Sequence, residues 1–272
     1  MTWRAGAALK PRVALAALGV SAVAASLPLL APAAPAERSA AGVLLAQQSL
    51  PALRPTPPGL PADVVLSDER KLSRWAYALR DAEVRAAPTG SARVTGRLHL
   101  LTENRVWEVY LLLRERRTAD GSPWVQLRIP GRPLGRTGWV PRDALGPYRV
   151  VRTLLRIDRA KLRLTLFRSG KPVFSAPVAI GTDVTPTPAG HFWVREKLHT
   201  TGLPWYGPRA LGTSAYSPGL ASWPNGGVIG VHGTDRPDLV PGRPSHGCIR
   251  LLNRDIEWLY PQVPRGTPVQ IV

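Results

Sequence analysis

The chain has 272 residues, of which 44% are hydrophobic and 20% charged, and its formal net charge is +18. This composition is typical of a globular protein with one large or two modest domains. Five of the 36 basic residues are Lys, so the other 31 are Arg, and none form a basic run interleaved with aromatic residues. We therefore expect no nucleic-acid partner. The 29 Pro and 25 Gly indicate many turns and few long helices, and predict an all-β fold.

Residues 1–36 have the layout of a secretory signal peptide. Arg4, Lys10 and Arg12 precede an apolar run over 13–30, and a small-residue stretch ending at Ala36 offers a cleavage site. A retained anchor that tethers the chain to the membrane is the alternative, since an 18-residue run is near the lower limit for a spanning helix. In both cases we expect the rest of the chain to be exported and to lie in the cell envelope.

Residues 37–74 are predicted to be a Pro/Ala-rich linker, because five prolines lie between positions 51 and 61. Residues 75–147 alternate short β-rich runs with turn sequences and predict a small barrel. The predicted strands are Arg93–Leu101, Val106–Leu113, Trp124–Ile129 and Thr137–Val140.

Three sequences in this barrel, starting at Ala87, Trp124 and Gly138, are Ala-Pro-Thr-Gly, Trp-Val-Gln-Leu and Gly-Trp-Val-Pro. Together they resemble a bacterial SH3-like domain. Such domains accompany cell-wall enzymes, and the resemblance implies binding of wall peptides. A structural spacer without a ligand is the alternative.

Residues 148–272 form the second predicted domain, again rich in strands. Its predicted strands are Val150–Asp158, Lys161–Phe167, Lys171–Ile180, His191–Lys197 and Val228–Val231. Segment 199–226 is predicted to be a long loop, and loops of that length are usually functional. This segment contains four aromatic residues, which either form a lid over a functional site or only pack the loop onto the domain: Trp205, Tyr206, Tyr216 and Trp223.

Cys248 is the only cysteine, so it cannot form a disulfide within the chain. It lies in Ser245-His-Gly-Cys, 16 residues after His232. Thiol chemistry needs a base near the sulfur, and the prolines between these residues allow a loop that brings His232 to it. The backbone N–H groups of Gly247 and Cys248 are candidates for an oxyanion hole. Zinc bound by His232, His246 and Cys248 is the alternative, but the only candidates for a fourth ligand are Asp235 and Asp238, and we expect no cofactor.

His232-Gly-Thr followed by Ser245-His-Gly-Cys-Ile-Arg-Leu251 resembles the catalytic motif of the YkuD-type L,D-transpeptidases. Upstream, Val178-Ala-Ile-Gly181 and Thr187-Pro-Ala-Gly190 also match that family, as does the downstream sequence from Asn253. The resemblance covers about 125 residues, nearly half of the chain. It implies a β-sandwich catalytic domain after the SH3-like barrel.

The resemblance also assigns roles to residues of the motif. Cys248 matches the nucleophile and His232 the general base, while the backbone carbonyl of Gly233 orients the imidazole. His246 is included with the catalytic residues, and it shapes the nucleophile's pocket together with Ser245 and Gly247.

Arg250 matches a position that is often basic in the family, and a guanidinium there suits a substrate carboxylate. An ion pair with Asp255 or Glu257 is the alternative. Asn253 is predicted to cap a short helix through Tyr260.

The implied reaction is a two-step acyl transfer between peptidoglycan stem peptides that forms 3→3 crosslinks. An acceptor amine on a protein would attach that protein to the wall. Carbapenem β-lactams are expected inhibitors. Two alternatives remain: an L,D-carboxypeptidase, which uses water as the acceptor, and a non-catalytic wall-binding protein.

Overall fold

The computed structural model of the chain describes residues 63–222 and 224–272. The predicted export segment (1–36) and most of the predicted linker (37–62) lie outside the described residues. Those described belong to one unit by their contacts and contain two β-sheets and one α-helix, which confirms the all-β expectation. Within them, no helix is both long and apolar enough to cross a membrane.

The first sheet has eight strands. They are β1 (Asp63–Val65), β2 (Ser73–Tyr77), β3 (Ala82–Arg85), β4 (Val94–Leu98), β5 (Val109–Arg117), β6 (Pro123–Arg128), β7 (Thr137–Pro141) and β8 (Arg149–Val151). Their order is β4-β3-β7-β6-β5-β2-β8, and β1 pairs with β5. Strand β5 buries Tyr110 and Leu112 in the core of this sheet, since alternate residues of a strand point to the same face.

The first sheet extends beyond the limits predicted for the barrel (75–147). Strand β1 pairs with β5 and β2 begins at Ser73, so residues 63–74 of the predicted linker contribute to this sheet. At the other end, β8 pairs with β2 and thus adds residues 149–151 to the first sheet. Such short strands carry too few apolar residues for a periodic signal, and only the pairing partner defines them.

The second sheet has ten strands. They are β9 (Thr153–Asp158), β10 (Arg163–Arg168), β11 (Lys171–Pro177), β12 (Ala179–Gly181), β13 (Gly190–His199), β14 (Arg209–Tyr216), β15 (Val228–His232), β16 (Gly242–Ser245), β17 (Ile249–Arg250) and β18 (Pro268–Ile271). Their order is β11-β10-β9-β18-β13-β14-β15-β17-β12-β16. Helix α1 (Asn253–Gln262) buries Ile256 and Leu259 in the core of this sheet.

Strand β14 lies inside segment 199–226, so the prediction of one long loop is wrong for residues 209–216. Seven of the eight residues of β14 are buried, because both of its edges are paired and both of its faces are covered. A strand buried on both faces shows no alternation of polar and apolar residues. Its small residues, including Gly212, therefore gave no strand signal.

The two sheets share a small apolar cluster and a buried ion pair. The cluster contains Trp75, Val109, Leu111, Val151 and Trp193, and Nε1 of Trp193 donates a 2.8 Å hydrogen bond to the carbonyl of Val109. In the ion pair, Nε of Arg195 on β13 lies 2.9 and 3.0 Å from the two carboxylate oxygens of Glu108. The first sheet is thus joined to the second by both apolar and polar contacts.

Candidate active site

Cys248 and His232 are brought together by the register of two strands. β15 and β17 run parallel with His232 opposite Arg250, so Cys248 is level with Gly230. The N–H of Gly230 donates a 3.4 Å hydrogen bond to Sγ of Cys248. A Cβ placed on Gly230 would lie 3.7 Å from Cδ2 of His232, so the ring and the sulfur both lie over this glycine.

Cys248 as a whole residue is partly exposed, and the second contact of its thiol is a carbonyl. Sγ lies 4.0 Å from the carbonyl oxygen of Val228, an acceptor for a weak S–H donor. Among the described contacts, the thiol makes no hydrogen bond to the His232 ring. Catalytic hydrogen bonds are often long before substrate binds, so this geometry is compatible with proton transfer during the reaction.

The ring of His232 is buried and held in one orientation. Its Nδ1 lies 2.6 Å from the carbonyl oxygen of Gly233, the contact that the resemblance implies. Because a carbonyl oxygen can only accept, Nδ1 carries the proton and Nε2 keeps its lone pair. The ring of Tyr206 contacts the imidazole of His232, with the two ring centroids 4.6 Å apart, and restricts the movement of the imidazole on that side.

Burial sets the protonation states of both groups. The pKa of His232 is lowered to about 4, mainly by burial; the Gly233 carbonyl opposes this, and the positive charge of Arg250 adds to the lowering. Burial also raises the pKa of the Cys248 thiol, although the N–H of Gly230 and the charge of Arg250 oppose it. At neutral pH the resting pair is therefore a neutral imidazole beside a neutral thiol.

Cys248 lies at the end of a tight turn that Ser245 closes. The buried Ser245 hydroxyl donates to the carbonyl of Cys248 at 2.6 Å and accepts the N–H of Gly247 at 3.1 Å. Gly247 has a φ of +119°, and a Cβ there would come within 2.7 Å of Ile229. This turn therefore requires glycine before the cysteine.

A threonine outside the catalytic motif supports the same turn. The hydroxyl of Thr187, which is buried, donates to the carbonyl of Gly247 at 2.7 Å and accepts the N–H of Gly181 at 2.9 Å. Gly181 and Thr187 belong to the upstream sequences that resemble the family, but sequence analysis assigned them no role. The sequence match at these two residues was visible, but only their contacts in the folded protein show that they support the turn before Cys248.

Asn253 supports the segment that follows His232. The predicted helix cap is wrong: α1 begins at Asn253, Leu252 occupies the N-cap position, and no side chain caps the helix. Oδ1 of Asn253 instead accepts the N–H of Thr234 at 2.8 Å. A Cβ on Gly233 would come within 2.3 Å of that oxygen, so Asn253 fixes the backbone whose carbonyl orients the imidazole.

The two N–H groups predicted for an oxyanion hole differ in availability. The N–H of Gly247 is already donated to Ser245, whereas that of Cys248 has no partner among the described residues. His246, between Ser245 and Gly247, is exposed. The structure thus gives the cysteine amide, rather than the glycine amide, to an incoming oxygen.

Arg250 makes no ion pair with Asp255 or Glu257 among the described residues, and Asp255 is instead 3.9 Å from Arg254. The Nε of Arg250 is buried without a hydrogen-bond partner. A buried donor without a partner is costly unless a ligand or water satisfies it. One donor of this guanidinium is therefore unsatisfied, and its positive charge acts on the Cys248 thiol.

The four aromatic residues predicted for a lid separate in the structure. Tyr216 is buried in β14, and Trp223 lies outside the described residues. Tyr206 contacts His232 from a 3₁₀ turn (Pro204–Tyr206), whereas its neighbour Trp205 is 55% exposed. Of the residues predicted to form a lid, only those in this turn remain candidates. Tyr216 instead packs into the domain, which was the alternative to a lid.

The zinc alternative required ligands to gather at the thiol. Among residues 63–222 and 224–272, no three His, Cys, Asp or Glu side chains are close enough to hold a metal ion.

Comparison with known proteins finds a similarity over the part of the chain that holds this site. Residues 152–271 match the family model of YkuD, the L,D-transpeptidase catalytic domain. This part of the chain is therefore similar to YkuD-type catalytic domains.

Two curated relatives are both named as candidate L,D-transpeptidases. The chain is 32% identical to the YkuD protein of Bacillus subtilis (strain 168) over 108 residues, 40% of this chain and 58% of that protein. It is also 32% identical to the YkuD protein of Bacillus licheniformis over 125 residues, 46% of this chain and 66% of that protein. The chain thus spans less than two thirds of the length of either relative.

A solved structure, that of the catalytic domain from an E. faecium L,D-transpeptidase, matches at 23% identity with a TM-score of 0.34. It covers 44% of this chain and 96% of that domain.

Proposed function

We propose that the chain is a peptidoglycan L,D-transpeptidase that works through a thioester on Cys248. The observation that carries this proposal is the thiol beside a buried His232 whose proton is held at Nδ1, within a YkuD-type domain. The donor is the tetrapeptide stem of bacterial peptidoglycan. The acceptor is an amine of a neighbouring stem, which gives a 3→3 crosslink, or a protein amine, which gives attachment to the wall.

The first half-reaction forms the acyl-enzyme. Nε2 of His232 takes the thiol proton as Sγ of Cys248 attacks the carbonyl of the third stem residue. The C–N bond to the terminal D-Ala then breaks, and the imidazolium gives its proton to the leaving amine. A thioester and free D-Ala result, and His232 is neutral again.

The second half-reaction transfers the acyl group. The acceptor amine attacks the thioester carbonyl and loses a proton to Nε2 of His232. The C–S bond breaks, and the proton returns to the sulfur as the crosslinked product leaves. A neutral imidazole is the form that both steps need, and burial of His232 keeps it neutral at physiological pH.

Two further groups serve the donor in this mechanism. The N–H of Cys248 donates to the oxygen of the tetrahedral intermediate, where one well-placed donor contributes about 10²–10³ in rate. The guanidinium of Arg250 binds a carboxylate of the stem, and its buried, unpartnered Nε supports that role.

The same proposal gives the first sheet an SH3-like fold that binds wall peptides. The proposal also includes export of the chain, because peptidoglycan stems lie outside the cytoplasmic membrane. Cell fractionation that recovers the chain only from the cytoplasm would contradict this part.

The test is incubation of the chain with disaccharide-tetrapeptide and, separately, with meropenem, followed by mass spectrometry. We expect dimeric muropeptide and a covalent adduct on Cys248, both lost in Cys248→Ala. In His232→Gln the thiol remains but the rate should fall by about 10²–10⁴. Tripeptide as the only product would indicate a carboxypeptidase, and neither adduct nor product would leave a wall-binding protein.

A further inference from the structure

One arginine of the first sheet reaches into the catalytic domain near the thiol. Arg132 lies in the connection between β6 and β7. Its Nε donates to the carbonyl of Ser217 at 3.0 Å, and its Nη2 donates to the carbonyls of Ser217 and, at 3.0 Å, Gly226. These contacts span 85 and 94 residues of sequence.

Ser217 and Gly226 are near the two ends of the connection 217–227, which joins β14 to β15. The N–H of Ser217 donates to the carbonyl of Gly227 at 2.8 Å, which closes the base of this connection. A single guanidinium therefore holds both ends of the connection at the point where they meet. A Cβ on Gly227 would lie 3.3 Å from Nη2 of Arg132, so the contact is close-packed.

The guanidinium also rests on a fixed aromatic ring. Its Cζ lies 5.4 Å from the centroid of Tyr216, a distance at which a cation and a ring attract. The Tyr216 hydroxyl accepts from Nη1 of the buried Arg195 at 2.9 Å and donates to Glu103 of the first sheet. Arg132 is thereby anchored on one side by the first sheet and on the other by a rigid part of the second.

The connection held by Arg132 leads directly into the wall of the cysteine pocket. Val228 follows Gly227, and its carbonyl lies 4.0 Å from Sγ of Cys248. Two residues further on, Gly230 donates its N–H to the same sulfur. Both contacts of the thiol thus lie within four residues of Gly226.

We propose that Arg132 is a positioning residue for acyl transfer, which couples the first sheet to the geometry around Cys248. This inference rests on the proposed function of the site. It assigns the first sheet a part in completing the catalytic site, besides any binding of wall peptides. A lysine does not reproduce this contact, because its ammonium is a compact charge with rotatable donors and lacks the planar fork that reaches both carbonyls and lies against the ring.

A second arginine in the same connection provides a matched control. Arg136 donates only to carbonyls of the first sheet and its turn, those of Thr95, Pro130 and Pro133. Arg136→Lys therefore makes the same chemical change at a guanidinium whose described hydrogen bonds do not reach the catalytic domain.

The experiment compares full-length wild type, Arg132→Lys and Arg136→Lys. Three quantities are measured: the rate of Cys248 acylation by meropenem, the rate of its alkylation by iodoacetamide, and hydrogen exchange of the Ser217 amide. In Arg132→Lys we expect acylation to slow by about 10- to 100-fold, since small misplacement of reacting groups has effects of that size. Alkylation, which needs only access to the sulfur, should not slow, and exchange at Ser217 should become faster.

Arg132→Gln removes the charge and shortens the side chain at the same junction, and we expect it to give the same split between acylation and alkylation. It also keeps the test available if Arg132→Lys does not fold. Unchanged acylation in both variants, or an equal loss in Arg136→Lys, would overturn the inference. If the wild type is not acylated, the proposed function fails, and unchanged Ser217 exchange would then overturn the positioning role separately.

Discussion

Single residues around His232 hold its ring in one tautomer and in one charge state. The carbonyl of Gly233 fixes the proton on Nδ1, and Asn253 fixes that carbonyl through the neighbouring Thr234. Burial then keeps the ring neutral far below the usual pKa of histidine. His232 is thereby neutral at neutral pH, and keeping this buried ring neutral costs the folded protein stability in acid.

We expect that cost to make stability depend on pH between about 6.5 and 4. The unfolded chain protonates this histidine with a pKa of about 6.5, whereas the folded protein does so only at about 4. Below pH 6.5 the unfolded state binds more protons, so the free energy of unfolding falls as pH falls, by up to roughly 3 kcal/mol. Urea unfolding at neutral pH and near pH 4.5 measures the loss. His232→Gln should lose less stability over this interval, and an equal loss would contradict the expectation.

Gly181 is a second position where one residue decides the local structure. A Cβ there would lie 2.2 Å from the carbonyl oxygen of Thr185, 2.7 Å from the N of Thr187 and 2.9 Å from Cα of Gly247. All three neighbours are backbone atoms and cannot move cheaply. We therefore expect Gly181→Ala to lower the free energy of unfolding by about 1–3 kcal/mol and to slow acylation of the thiol.

Gly202→Ala is the control for this change, since a Cβ at Gly202 meets no atom within 4 Å. Its effect on urea unfolding should remain within about 0.5 kcal/mol. Equal effects of the two substitutions would show that the close packing at Gly181 is not the cause.

At the scale of elements, strand pairing determines which residues meet. The parallel pair of β15 and β17 places Cys248 level with Gly230, and β14 completes the neighbourhood of β15 on its other edge. Strand β13 in turn carries Arg195, which joins the second sheet to Glu108 at the start of β5. Burial alone would lower the pKa of Arg195, but its bonds with Glu108 outweigh burial and raise it.

We expect Glu108→Ala to be strongly destabilising, because it leaves the buried charge of Arg195 without its main partner. Breaking a buried ion pair from one side costs about 3–5 kcal/mol, whereas replacing both partners by apolar residues of similar volume costs much less. Urea unfolding of Glu108→Ala and of the double variant Glu108→Leu/Arg195→Met measures both. A double variant as unstable as the single one would argue against charge burial as the cause.

At the scale of the whole molecule, the two sheets are joined by a buried apolar cluster and a buried ion pair. Trp193 is 1% exposed, and it packs with residues of the first sheet while donating to the carbonyl of Val109. A Cβ on Gly266 would come within 2.1 Å of Trp75, so the two parts are also in close contact before the last strand. Separating the sheets would expose this cluster and the Arg195–Glu108 pair together.

We therefore expect both sheets to unfold in one cooperative transition. Hydrogen exchange in increasing urea should release the core amides of β6 in the first sheet and of β10 in the second at the same urea concentration. Earlier release of one sheet by more than the measurement error would show that the shared cluster does not couple them.

By itself, the sequence located the candidate site and most of the strands. A single cysteine in Ser-His-Gly-Cys, preceded by His-Gly-Thr, predicted Cys248, His232 and Gly233 as site residues from residue type and short spacing, and the structure brings the three close together. The strands with alternating patterns, such as β10, were predictable because one of their faces is buried and the other is solvated.

Only the tertiary structure decided the features that depend on distant partners. Strand β14 is buried on both faces and made of small residues, so no periodicity marked it. Asn253 has the residue type and position of a helix cap, but its side-chain oxygen instead accepts the backbone N–H of Thr234. The reach of Arg132 to the connection beside Cys248 spans more than 80 residues, and such a contact exists only once both sheets have formed.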